Sequence, residues 1–97
     1  MASRAPTNPT SWPVVKLFTP DAGCTWLLSE LEADGDTLFG LCDLGFGFAE
    51  IGYVSLSELL SVRGNIGLPV ERDRNWKATK SLSDYAEEAN RIGRITA

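Results

Sequence analysis

The alternation of apolar and polar positions changes period along this chain, and the changes mark its elements. Two apolar runs, 24–31 and 37–44, flank Ala33-Asp34-Gly35-Asp36. Asp-Gly between runs of strand length is a strong hairpin signal, because both residues tolerate positive φ. A two-residue turn at Asp34-Gly35 pairs positions whose numbers sum to 69, so Trp26 is expected opposite Asp43 and Cys42 opposite Leu27. Both faces of such a hairpin hold large apolar groups. The expectation is a sheet covered by helices on one side and partly by loops on the other.

The flanking segments extend this sheet. Pro13 introduces the β-branched and aromatic run 14–18, closed by the turn Thr19-Pro20-Asp21-Ala22-Gly23. Gly45 and Gly47 separate the hairpin from a further strand at 48–54, where Gly52 reads as a bulge or a close backbone approach. Ser55 and Glu58 form a capping box for a short helix, 56–62, with Leu56, Leu59 and Leu60 as its apolar stripe and Gly64 as its stop. The alternating charges of 69–76 after a leading proline suit an edge strand. Ser81 caps a last helix whose inner face is Leu82, Tyr85, Ala86, Ala89 and Ile92, with Gly93 as its end. The reading is one α+β domain over 12–97: a small antiparallel sheet of three to five strands with a central hairpin, packed by two short helices. Residues 1–11 are read as a flexible tail, being rich in proline and small polar groups.

Composition narrows the function more than the fold. Of 97 residues, 43% are hydrophobic and 23% charged, ordinary globular usage. The net charge of −4 is uneven: positions 1–60 carry eight acids against two bases, and positions 61–97 five acids against seven bases. An acidic end and a mildly basic end are expected. No apolar stretch suits a signal peptide or a membrane span, so a cytoplasmic location is expected. The only cysteines, Cys24 and Cys42, fall on opposite faces in the 69 register, which disfavours a disulfide and predicts reduced thiols.

Histidine is absent, which removes the commonest general base and metal ligand together. Carboxylate chemistry remains: Asp43 and Glu50 flank the glycine-rich segment and would serve as an acid–base pair only if they converged in a pocket. Gly45-Phe46-Gly47 lacks the third glycine of a nucleotide fingerprint, and the 32–36 acids lack the spacing of a calcium loop. No catalytic residue, metal or cofactor is therefore expected. Two surface candidates stand out. Glu30, Glu32, Asp34 and Asp36 form an acidic cluster suited to a basic, nucleic-acid-binding surface on a partner protein. Arg72, Arg74, Trp76, Lys77 and Lys80 form a basic run with an aromatic, the composition of a nucleic-acid groove, although Trp76 is expected to pack inward. Phe46 and Phe48 are expected to be buried; exposed, they would form an apolar lip for a partner.

The runs PVVKLFTPDAGCTWLLSELE (13–32), CDLGFGFAEIGYVSLSELL (42–60) and SVRGNIGLPVERDRNWKATKSLSDYAEEA (61–89) resemble a small family of uncharacterised proteins, a domain of unknown function. Its members are carried by plasmids and integrative conjugative elements of proteobacteria. The resemblance implies context rather than chemistry: an accessory protein of a mobile element, acting by macromolecular binding, with a host defence complex among the candidate partners. The alternative is an accessory protein that contacts nucleic acid through the 72–80 run.

Overall fold

The computed structural model describes residues 10–97. Its strands are β1 (Val15–Phe18), β2 (Thr25–Leu31), β3 (Thr37–Asp43), β4 (Ala49–Ser55) and β5 (Glu71–Arg72); its helices are α1 (Leu56–Ser61) and α2 (Leu82–Ile92). All strand pairs are antiparallel, in the order β4-β3-β2-β1-β5. The antiparallel sheet, with five strands where three to five were expected, and both helices are therefore present. β5 is confined to two residues at an edge, shorter than the 69–76 run suggests.

The central hairpin keeps the predicted register only near its tip, where Leu31 pairs with Leu38 and Glu30 with Phe39. The ladder slips between Leu28 and Glu30, leaving Ser29 as an extra residue, so that Leu28 pairs with Gly40 and Trp26 with Cys42. Gly40 makes this possible, because a Cβ there would overlap the Leu27 carbonyl. Gly52, read from the sequence as the irregular position, sits in an unbroken register with open space around it. The tip also departs from a two-residue turn. Gly35 N–H donates to the Glu32 carbonyl at 3.0 Å, and Gly35, not Asp34, takes positive φ.

The bulge sorts the apolar residues into two cores, one on each face. On the first, α2 brings Leu82, Tyr85 and Ala89 onto Leu27, Phe39, Leu41 and Ala49, with Ile51 and Trp76 beside them. On the second, Leu59 of α1 covers Trp26 and Leu28, with Leu17, Leu38, Cys42, Val54 and Val62 around them. The helices thus lie on opposite faces, not on one. Leu27, Leu41 and Leu82 are wholly buried, and each contributes roughly 1.5–3 kcal/mol of transfer free energy. Both cysteines, free in the structure, belong to the second face; the extra residue at Ser29 moves them there from opposite faces.

Helix ends follow the sequence closely. Ser55 Oγ accepts from Glu58 N–H at 3.3 Å, and Ser81 Oγ from Asp84 N–H at 3.2 Å. Gly93 closes α2 in the left-handed region. α1 ends one residue early, at an extended Val62, and its stripe narrows to Leu59, since Leu60 is 69% exposed. Ile92, expected on the inner face of α2, is half-exposed. The predicted tail falls mostly outside the described residues; Ser11 already accepts a hydrogen bond from Leu82 N–H at 2.9 Å.

Candidate docking surface

At the end of the sheet away from the hairpin tip, three loops meet. The 19–24 turn lies in the middle. Its Gly23 lies beside Gly45 of the 44–48 loop, close enough that an added Cβ would meet the Gly45 backbone, and its Asp21 Oδ2 accepts from Ile66 N–H at 2.7 Å and Leu68 N–H at 3.4 Å in the 63–69 loop. That last loop is closed on itself by Gly64 N–H donating to the Leu68 carbonyl at 2.9 Å. A Cβ on Gly64 would overlap the Asp21 carboxylate, so the glycine is required by the contact. On the other side, Gly93 at the end of α2 approaches the Gly47 carbonyl.

The loops that are pinned in this way point large apolar side chains outward. Phe46 is 74% and Ile66 77% exposed, with Leu44, Phe48 and Leu68 also open to solvent. Phe46 and Phe48, expected inside, are outside, because Gly45 and Gly47 both take positive φ and turn the loop away from the sheet. From Leu44 a groove of about 440 Å³ continues along α1, floored by Trp26 and walled by Val54, Leu59 and Val62. Nothing in hydrophobic periodicity distinguishes these residues from core. Glycines on both sides of Phe46 were the one available signal.

Asp43 and Glu50 do not converge. Asp43 is buried, with Oδ1 accepting from Gly45 N–H and Oδ2 from Ile95 N–H, each at 2.9 Å. It anchors the loop and the C-terminal segment on the α2 face. Glu50 is exposed and pairs with Cys42 on the other face. Among the described residues, no group of three His, Cys, Asp or Glu side chains could hold a metal ion. No helix of the described residues is long and apolar enough to cross a membrane.

The acidic cluster sits at the opposite end of the molecule, at the hairpin tip, and much of it serves the fold. Asp34 accepts from Asp36 N–H (2.9 Å), Thr37 N–H (2.8 Å) and Thr37 Oγ1 (2.6 Å). Asp36 accepts from Ser55 Oγ at 2.7 Å and Ser57 N–H at 2.8 Å, which ties the tip to the start of α1. The Ser55 hydroxyl is the largest cause that holds the Asp36 carboxyl below its ordinary value, followed by the Ser57 amide. Glu30 and Glu32 lie on either side of Leu31, partly buried.

The basic run is divided between faces. Arg72 pairs with Leu17, on the Trp26 side of the sheet. Trp76 turns into the other core, 6.0 Å from the Tyr85 ring. Lys80 donates to Glu88 Oε2 at 2.8 Å and lies 5.2 Å from the Tyr85 ring centre. The Glu88 hydrogen bond raises the Lys80 pKa, and the same bond, with one from Thr96, lowers that of Glu88. Arg74 and Lys77 are exposed. The run therefore offers cations without an outward aromatic to stack on.

No match to the chain was found among curated proteins or solved structures. Residues 1–96 match the family described as "Protein of unknown function (DUF2958)", and the chain belongs to that family.

Proposed function

We propose that this protein is a non-enzymatic accessory factor of a mobile genetic element, and that it acts by docking its three-loop end onto a partner protein. The observation that carries this reading is the set of outward apolar side chains, Phe46 and Ile66 above all, on loops fixed by glycine contacts and the Asp21 carboxylate. Contiguous apolar surface on a rigid loop cluster is the usual mark of a protein-binding site. Loops already held in place lose little freedom when a partner covers them, which favours affinity. The mobile-element context comes from the resemblance of the sequence runs, and a host defence complex is the partner class that this context suggests.

Two features weigh on the choice of surface. Asp34 and Asp36 spend their oxygens on the hairpin turn and α1, which leaves the acidic cluster less able to address a basic partner. Trp76 is packed against Tyr85, which deprives a nucleic-acid reading of its stacking group. Capture from a host lysate tests the proposal, with wild type compared against a Phe46→Ser, Ile66→Ser double variant and against a variant with Glu30, Glu32, Asp34 and Asp36 changed to Ser or Asn. Loss of a captured protein in the loop variant alone is expected. Equal capture by wild type and the loop variant overturns the loop-end reading, and loss in the acid variant alone moves the site to the hairpin tip.

A further inference from the structure

The 94–97 segment has no regular secondary structure, yet it is fastened to the body of the protein. Ile95 N–H donates to Asp43 Oδ2 at 2.9 Å, Thr96 Oγ1 to Glu88 Oε1 at 2.9 Å, and Lys16 Nζ to a main-chain oxygen of Ala97 at 2.6 Å. Ile95 and Ala97 also rest against the α2 core. Two clefts border the segment. One of about 340 Å³ lies at Ile95, beside Lys16, Thr19 and Asp73, and one of about 300 Å³ lies at Thr96 and Ala97, beside Trp76 and Tyr85. A segment outside any ladder, with open space beside it and a few side-chain bonds to hold it, opens at a lower free energy than the sheet beneath.

Its bond at Ile95 is shared with the docking loop. Asp43 is 2% exposed, and its oxygens serve two different segments: Oδ1 accepts from Gly45 N–H and Oδ2 from Ile95 N–H. The two donors together fix the carboxylate's orientation. If Ile95 leaves, Oδ2 is buried without a donor, which carries a desolvation cost. Asp43 relieves that cost by turning toward the cleft that it borders, and the turn takes Oδ1 off Gly45 N–H. The far end of the loop is held from α2, where Asn90 Oδ1 accepts from Ala49 N–H at 2.9 Å. Gly45 is therefore the end of the loop that the segment controls.

We propose that the 94–97 segment is a strap that regulates the docking loop. Fastened, it keeps the Asp43 carboxylate on Gly45 and Phe46 presented outward; released, it loosens the loop and weakens docking. This rests on the docking role given to the three-loop end. By linkage the effect runs both ways, so a partner seated on Phe46 tightens the strap.

Amide hydrogen exchange of the intact protein, with no partner present, tests the coupling. Lys16→Met with Thr96→Val removes two of the strap's bonds, neither of which involves Asp43 or the 44–48 loop. The Gly45 amide should then exchange about tenfold faster, as expected for loss of one charge-assisted bond. The Ile66 amide, bonded to Asp21 in the neighbouring loop, and the Leu41 amide of the central strand serve as controls and should change by about threefold or less. Thr96→Val alone, at an exposed residue that the fold does not need, should speed Gly45 by about threefold. The proposal is overturned if Gly45 exchange is unchanged in both variants, or if it rises only in step with Ile66 and Leu41, since the whole fold would then have loosened. Failure here strikes the strap alone; equal capture by wild type and the Phe46→Ser, Ile66→Ser variant strikes the docking role and leaves the coupling in place.

Discussion

Asp36 and Ser55 are joined by a 2.7 Å hydrogen bond between the central hairpin and the cap of α1. The same Ser55 hydroxyl accepts the Glu58 N–H, and Leu56 N–H donates to the Asp36 carbonyl at 2.7 Å. The helix start is thus built partly from a residue nineteen positions away.

This link gives a pH dependence. The Asp36 pKa is lowered in the folded chain, first by Ser55 and then by Ser57, so its contribution is present above the unfolded value and is lost as pH falls through the folded one. Asp36→Asn should lower Tm by a few degrees at neutral pH, and the gap should close as pH falls from neutral into the acid range through the lowered Asp36 value. Thermal melts of both proteins across this range check it; an equal gap at both ends would mean the carboxylate's charge plays no part.

Two glycines in paired positions should respond oppositely. Gly40 and Gly52 face each other across β3 and β4, yet only Gly40 has backbone where a Cβ would stand. Gly40→Ala should cost roughly 1–3 kcal/mol or more through forced backbone movement. Gly52→Ala should change stability by about 0.5 kcal/mol or less, with stabilisation the favoured direction. Urea midpoints of the two variants give the comparison directly.

Cys42 should be a slow nucleophile. Burial, helped by the negative charge of Glu50, pushes its thiol up to about 11. At about pH 8 only one molecule in roughly a thousand would carry the thiolate, against about one in four for a free cysteine. In a Cys24→Ser protein, reaction with a disulfide reagent should keep climbing about tenfold per pH unit up to about pH 10. A plateau near pH 9 would contradict this environment for Cys42.

The exposed apolar residues should be dispensable for folding. Phe46→Ser and Ile66→Ser should each shift stability by about 0.5 kcal/mol or less, whereas Leu27→Ala should cost roughly 2–5 kcal/mol. Chemical denaturation of the three variants separates surface presented to solvent from core. A large loss at Phe46 would place it inside the fold.

Local signals in the sequence were enough for the elements and their ends: Ser55, Ser81 and Gly93 set helix boundaries through bonds to their immediate neighbours. The register was not legible beyond the hairpin tip, because the slip at Ser29 is permitted by Gly40, eleven residues away, and no short pattern links the two. That single error carried through to the placement of Trp26 and both cysteines. The docking surface was half legible. Gly45 and Gly47 marked an unusual loop, but the positive φ at both, which turns Phe46 outward, is a property of the folded backbone that periodicity does not show. The charged runs were legible in part: the inward packing of Trp76 was expected and is found, whereas the bonds of Asp34 and Asp36 come from partners that only the folded chain supplies.

The extra residue in β2 acts as a phase shifter: before it even-numbered side chains look toward α1, and after it odd-numbered ones do. Removing Ser29 would therefore straighten the strand without turning it over: Leu28 would directly precede Glu30, still opposite Gly40, with Trp26 and Leu28 toward α1 and Leu27 toward α2. The reading frame of this hairpin, counted in residues rather than codons, is what keeps two dissimilar interiors apart.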